Sequence, residues 1–346
     1  MNSPASMTAI AIDRPGGPEV LLPTTVPVPE PGPGEVLISV AAAGVNYPDL
    51  LQRRGHYAVP PDASPLPGLE VAGEIVGLGV EVSTWQLGDQ VVALTNGGGY
   101  AEFVTVPEGQ ILPLPDGWSM VAAAALPETF FTIEQTLVLR AGLAPGMTIL
   151  VHGAAGGIGG AAIQIGKVMG ATPIAVVSDA AKGAYARTLG AGEVILHTET
   201  DFVARVAEIT AGAGVDRIVS IAGGDMLMRN LKALKAVGSI VQLAGLSGNL
   251  AELDLGLLLR RNATLLGSVL RAQPKAVKAA IANGLRRDVW PHFARDAIVV
   301  PRIVALPLAA AAEAHRRAEQ RRSFGKYVLV TTWGETLRND IPIARD

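Results

Sequence analysis

The chain has 346 residues, 49% of them hydrophobic and 17% charged, with 40 Gly and 24 Pro. This composition excludes a disordered protein, and the length points to two domains rather than one core. A net charge of −3 supplies no long-range field to gather nucleic acid or anionic lipid, and the absence of Cys excludes disulfides and thiolate metal sites.

The opening MNSPASMTAIAID has no positive segment followed by an apolar run, so no secretory signal is expected. The longest apolar runs, such as MVAAAAL, fall far short of the roughly 20 residues of a membrane-spanning helix. No membrane or nucleic-acid partner is expected, and the expected compartment is the cytoplasm. From Thr8 to about Pro127 come short β-rich runs, EVLISVAAAGV, VAGEIVGLG, QVVALT and AEFVTV, broken by Pro and Gly. They predict an irregular, mostly antiparallel β domain.

After Leu126 the pattern changes. TILVHG, TPIAVVS, EVILH, RIVSIAG, SIVQLAG and TLLGSV alternate with helical stretches such as GGAAIQIGKVMG and FVARVAEITAG. Six such runs predict a doubly wound α/β domain with a Rossmann-type parallel sheet. Beyond Ser268 follow a helix over PKAVKAAIANGL, then PRIVALPL, AAAAEAHRRAEQ and a strand KYVLVT that returns to the first domain. Gly334 to Asp346 reads as a loose tail. The boundaries expected are 1–127 with 267–346 for one domain and 128–266 for the other.

The first run of the α/β region ends in HGAAGGIGGAAIQ, with Gly153, Gly156 and Gly159 three apart at the opening of a helix. Such a turn lets backbone approach a pyrophosphate and aims free N–H groups at it. The same glycines also suit a bare tight junction, but a strand before and a helix after is the context of a dinucleotide fingerprint. At the end of the second run, Ser178 and Lys182 suit the 2′-phosphate of NADPH, whereas Asp179 either favours NADH or caps the next helix. Lys182 is equally compatible with a solvated helix position.

Taken together, GEVLISVAAAGVNYPDLLQRRGHY, PLPGLEVAGEIVGLG, LGDQVVAL, GGGYAEF, HGAAGGIGGAAIQ, GAGVDRIVSIAGG and GKYVLV resemble the medium-chain dehydrogenase/reductase superfamily, and within it the zinc-free quinone oxidoreductases. The resemblance spans nearly the whole chain and implies a GroES-like catalytic domain beside the Rossmann domain. In zinc-dependent members a Cys and the His of a Gly-His-Glu signature bind the metal; Asn46 and Leu69 stand in those places, so no zinc is expected. Zinc stabilises an alkoxide, whereas a quinone or activated alkene already accepts hydride.

The resemblance implies NADPH as cofactor, with NADH open because of Asp179, and a quinone or enone as substrate. It places Asn46 and Tyr57 at the substrate, with Tyr57 the better proton donor or orienting group. Asn46 satisfying loop backbone, Tyr57 as a packing aromatic and Asp49 as a helix cap are the structural alternatives. For the cofactor it carries over Thr132, Gly153, Gly156, Gly157, Ile158, Gly159, Ser178, Lys182, His197, Ala222, Gly245, Leu246, Gly325 and Lys326. His197 and Asp179 depart from the usual Tyr and Ser or Thr, and Ser220 stands where Asp is common. Phe130, Phe131 and Leu266 are expected as apolar walls of the substrate cleft. An enoyl or alkenal reductase is the alternative, followed by a cofactor-binding structural protein without turnover. Relatives pair through an edge strand, so a homodimer through GSIVQLAG to TLLGSV is expected.

Overall fold

The computed structural model describes residues 4–320 and 324–337, which separate into two units. Strands β1 (Ser6–Ile12) and β2 (Leu21–Pro27) form an antiparallel pair in the first unit. The larger sheet there begins with β3 (Glu35–Gly44), β4 (Glu70–Leu78), β5 (Gln90–Leu94), β6 (Phe103–Pro107) and β7 (Ile111–Pro113). β3 is buried along almost its whole length, which its apolar VLISVAAAG sequence permits.

The second unit holds β8 (Thr148–His152), β9 (Thr172–Val177), β10 (Glu193–Leu196), β11 (Val215–Ser220), β12 (Leu234–Gln242) and β13 (Thr264–Gly267). All pairings are parallel, in the order β10-β9-β8-β11-β12-β13. This is the doubly wound order with its switch point between β8 and β11, where the fold places a ligand at the carboxyl ends of the strands. The six strands predicted from apolar runs are the six observed. Their core is aliphatic, built on Leu150, Ile174, Val176, Ile218 and Ile240, with Phe202 as the aromatic member.

The chain then returns to the first unit with β14 (Ile303–Pro307) and β15 (Lys326–Val330). β15 pairs antiparallel with β3, matching Val328 to Gly44, and completes a sheet ordered β14-β15-β3-β4-β5-β7 with β6 also on β3.

Two expectations require correction. Arg287–Val299 belongs to the second unit rather than the first: Phe293 packs on Phe130 at 6.0 Å, and Val299 N–H donates to Gln164 Oε1 at 2.7 Å. Gly334 is not part of a loose tail. It lies in the short helix Thr332–Thr336, which Thr331 caps, and it is pressed so closely on the Ala41 carbonyl that a Cβ would come within 2.0 Å. Residues 338–346 of that tail lie outside the described residues.

Candidate active site

Where β3 ends, Asn46 starts the helix Tyr47–Arg53, and Pro48 in its first turn and Asp49 at N3 explain why a helix begins there. Asp49 is fully buried. Its carboxylate accepts from Asn46 N–H (2.8 Å), Gly68 N–H (3.0 Å) and Tyr100 Oη (3.3 Å). It thus joins the helix start to the Pro67–Leu69 segment, the structural role open to it in the sequence. Burial pushes its pKa up to about 6, against the pull of those backbone donors.

The Asn46 side chain is held by two charged partners. Its Nδ2 donates to Glu70 Oε1 (2.8 Å) and its Oδ1 accepts from Lys326 Nζ (2.5 Å), while Lys326 also donates to Glu70 Oε1 (2.6 Å). Glu70 itself rests on Gly44, where a Cβ would lie 1.9 Å from its Oε1, so that glycine is required by close approach. Lys326, expected at the cofactor, therefore has its ammonium committed to a buried ion pair within the first unit. Gly325 beside it makes a left-handed turn (φ 92°) against the Arg302 carbonyl, the tight-turn role.

Leu69 is buried and apolar. Among the described residues no group of three or more His, Asp or Glu is placed to hold a metal.

Tyr57 is half-buried, with the Arg271 guanidinium 5.8 Å from its ring centroid. Burial first, and the Glu128 carboxyl second, push the phenol up to about 12. The phenol therefore stays protonated at neutral pH and retains an O–H group able to donate. Arg271 is buried too: it donates to Gln52 Oε1 (2.7 Å) and to the Asn96 carbonyl (2.7 Å from Nη2), and its own carbonyl accepts from buried Lys278 (2.7 Å). Burial lowers the Lys278 pKa to about 8. Sequence reasoning missed Glu70, Glu128, Arg271 and Lys278. Charged residues in a buried setting are the signal, and it becomes visible only when the chain is folded.

In the second unit the expected cofactor residues other than Thr132, which lies on the helix Pro127–Ile133, follow the carboxyl ends of the parallel strands. Gly153 turns left-handed (φ 63°) after β8, and a Cβ on Gly159 would strike the Gly153 carbonyl at 2.4 Å. Gly156 caps the helix Gly157–Val168 without a side-chain hydrogen bond, which leaves the N–H groups around Gly157, Ile158 and Gly159 uncovered by any capping side chain. After β11 and β12, Ala222 and Gly245 lie on adjacent turns: Ser247 N–H donates to the Ala222 carbonyl (2.7 Å) and Leu246 N–H to that of Ile221 (3.1 Å). Thr132 is half-buried, and its carbonyl accepts from Thr136 Oγ1 (2.6 Å). Ser220 is fully buried.

After β9, Asp179 caps the helix Ala180–Thr188 by accepting from Lys182 N–H (2.9 Å). Its carboxylate also accepts from Ser178 Oγ (2.9 Å) and pairs with Lys182 Nζ at 3.2 Å, so its pKa falls to about 2. Asp179 is thus both a cap and a standing negative charge beside the two groups expected at a 2′-phosphate. His197 is exposed at the end of β10, with its N–H on the Val177 carbonyl. Phe130 and Phe131 are buried in packing and Leu266 is half-buried, so the two phenylalanines are core residues rather than cleft walls.

A GroES-like sheet in one unit and a glycine-turned doubly wound sheet in the other define a medium-chain dehydrogenase/reductase. Residues 32–116 match the model of the alcohol dehydrogenase GroES-like domain, and residues 157–285 that of the zinc-binding dehydrogenase. The chain is 33% identical to a quinone oxidoreductase of Pseudomonas aeruginosa over 91% of its own length and 97% of that protein. The structure of Escherichia coli quinone oxidoreductase complexed with NADPH superposes with a TM-score of 0.80 at 29% identity, covering 93% of this chain and 99% of that one. CurK enoyl reductase superposes with a TM-score of 0.81 at 26% identity, covering 95% and 100%. The chain belongs to the zinc-free quinone oxidoreductase family of the medium-chain dehydrogenases/reductases, and it is an NAD(P)H-dependent oxidoreductase.

Proposed function

We propose that this protein is an NADPH-dependent, zinc-independent reductase of quinones and related electron-poor carbonyl compounds. The observation that carries the reading is the Asn46 amide, held between Lys326 and Glu70 beside buried Leu69. A carboxamide and an aliphatic side chain offer no ligand set for a Lewis acid, so the chemistry suits acceptors that take hydride without one.

The residues present fit a dinucleotide. The uncapped start of the helix Gly157–Val168 and the glycine cradle before it suit a pyrophosphate, and Ser178 with Lys182 suits a 2′-phosphate. A bound dihydronicotinamide supplies the hydride. Thr132, Ala222, Gly245 and Leu246 would lie toward the nicotinamide, and Tyr57 would donate a hydrogen bond to the acceptor oxygen, orienting it and drawing charge as the oxygen becomes negative.

The second reading, an enoyl reductase, is supported by the similarity to CurK enoyl reductase. A homodimer through β13 is supported by the apolar surface beside that edge: Leu255, Leu259, Leu265 and Val269 are all exposed.

Oxidation of NADPH and NADH should be followed with 1,4-benzoquinone, 9,10-phenanthrenequinone and a 2-enoyl compound, with and without chelator. Chelator-insensitive quinone reduction, faster with NADPH, is the expected result. Turnover of the enoyl compound alone would favour the second reading, and NADPH binding without turnover of any acceptor would overturn both.

A further inference from the structure

Just past the end of β5, two buried cations of the first unit converge on Asn96. Its main-chain carbonyl accepts from Arg271 Nε (3.1 Å) and Nη2 (2.7 Å), and its side-chain Oδ1 accepts from Lys278 Nζ (2.5 Å). Arg271 is 4% exposed and Lys278 1%. Their remaining acceptors, Gln52 Oε1 and the Arg271 carbonyl, are neutral too, and neither cation forms an ion pair among the described residues. Burying a cation without a carboxylate beside it is costly. The side chain that Lys278 holds is a carboxamide, which a single hydrolysis turns into a carboxylate.

The residue after Asn96 is Gly97. It adopts a conformation open to glycine (φ 121°), and a Cβ there would meet the Ser64 carbonyl at 2.4 Å. With no side chain, its peptide nitrogen is unshielded. Among the described residues no hydrogen bond engages the Gly97 N–H or the Asn96 Nδ2. Asn96 itself is half-buried, so water reaches it.

We propose that Asn96 is a deamidation site: the Gly97 nitrogen closes on the Asn96 side chain while Lys278 holds the amide oxygen, and the carboxylate formed is the counter-ion that the two buried cations lack. The Gly97 nitrogen gives its proton to solvent and bonds to Cγ of Asn96, and negative charge gathers on Oδ1, where Lys278 already donates. The Cγ–Nδ2 bond breaks, and the nitrogen takes a proton from solvent and leaves as ammonia. Water then opens the cyclic imide at Cγ, adding its oxygen there and restoring the Gly97 N–H. The sum is carboxamide plus water giving carboxylate plus ammonium, with no oxidant or reductant.

The surroundings of Lys278 fit that role. Burial foremost lowers its pKa to about 8, Arg271 and Lys275 act in the same direction, and Glu128 and Asp62 oppose them, so at neutral pH it is an ammonium able to donate. The chain also carries its own control. Asn283 likewise precedes a glycine, Gly284, but both lie inside the helix Lys275–Asp288, where N–H groups are committed to carbonyls four residues back.

The test is peptide mapping by mass spectrometry of the purified protein held at neutral pH, in buffer and in urea. In the folded protein the peptide containing Asn96 should gain one mass unit and that containing Asn283 should not, whereas in urea both should. Lys278→Met should slow the change at Asn96 by about tenfold in the folded protein and leave the rate in urea unaltered. Above about pH 8, where Lys278 loses its proton, that difference should close.

Asn96→Asp supplies the carboxylate directly and should raise the midpoint of thermal unfolding by about 2–4 °C. This readout decides the matter should Lys278→Met fail to fold. An Asn96 peptide that changes mass in urea but never in the folded protein would overturn the proposal. So would equal folded-state rates in wild type and Lys278→Met, or a lower midpoint in Asn96→Asp.

Discussion

Lys326 Nζ lies 2.6 Å from Glu70 Oε1, and the two side chains, 256 positions apart in the chain, are 5% and 0% exposed. A pair so enclosed contributes little when intact but costs heavily when one partner is removed. Lys326→Met should therefore lower the unfolding free energy by about 3–5 kcal/mol, read by urea denaturation. Lys326→Met combined with Glu70→Gln should be less destabilised than the sum of the two single changes.

Tyr57→Phe removes the phenol hydroxyl but keeps the ring on which Arg271 stacks. Turnover of 1,4-benzoquinone should fall by about tenfold, equivalent to ~1.4 kcal/mol of lost orientation and charge stabilisation. NADPH affinity, followed by fluorescence titration, should be unchanged. A matching loss of affinity would move Tyr57 from the acceptor to the cofactor.

Asp179→Ser removes a carboxylate that pairs with Lys182 and stands beside Ser178. The ammonium is then free to meet a 2′-phosphate, and the ratio of kcat/KM for NADPH over NADH should rise by about tenfold. Lys182→Ala should move the ratio the other way. Because Asp179 also caps the helix Ala180–Thr188, Ser, itself a preferred cap, is the substitution that keeps the helix start.

Stability should depend on pH from both sides. Glu128 and Glu134 are raised to about 8 and about 7, above their ordinary value of 4.5. The folded chain then holds protons that the unfolded chain has lost, and stability declines as pH rises from about 4.5 to 8. His152 and His315 are buried and lowered to about 4 and about 3, below their ordinary 6.5. The unfolded chain takes protons that they refuse, so stability also declines as pH falls below about 6.5. Between about pH 4.5 and 6.5 the two effects oppose one another, so the midpoint of thermal unfolding should vary little there and fall as pH rises from about 6.5 to 8, and Glu128→Gln should flatten that fall.

The second unit was readable from sequence because each of its strands is a short apolar run bounded by helix, and burial on both faces of a parallel sheet leaves that mark. The glycine turn was readable for a local reason: a left-handed Gly153 and a crowded Gly159 are demanded within a few residues. Asn46 drew attention, but the partners that fix its amide are 24 and 280 residues away, and nothing local names them. Lys326 was placed at the cofactor by resemblance, and its ion pair with Glu70, at the start of β4, has no local mark in the sequence. Phe130 and Phe131 were expected as apolar walls of a cleft. The helix carrying them turns both into the interior. Glu128 passed unnoticed because an acid in the first turn of a helix is ordinary; its burial beside Glu70 and Asp49 is a property of the folded unit.

The pairing of β15 with β3 has a consequence for biosynthesis. The doubly wound sheet draws all six strands from one continuous stretch, Thr148–Gly267, and is complete in sequence while the rest of the chain is still on the ribosome. The sheet begun by β3 must wait for Val328 to meet Gly44, and Glu70 waits equally long for its lysine. Strands β3 to β7 pair among themselves within residues 35–113, so what arrives last, after every strand of the second unit has been synthesised, is the β14–β15 edge and the cation that neutralises Glu70.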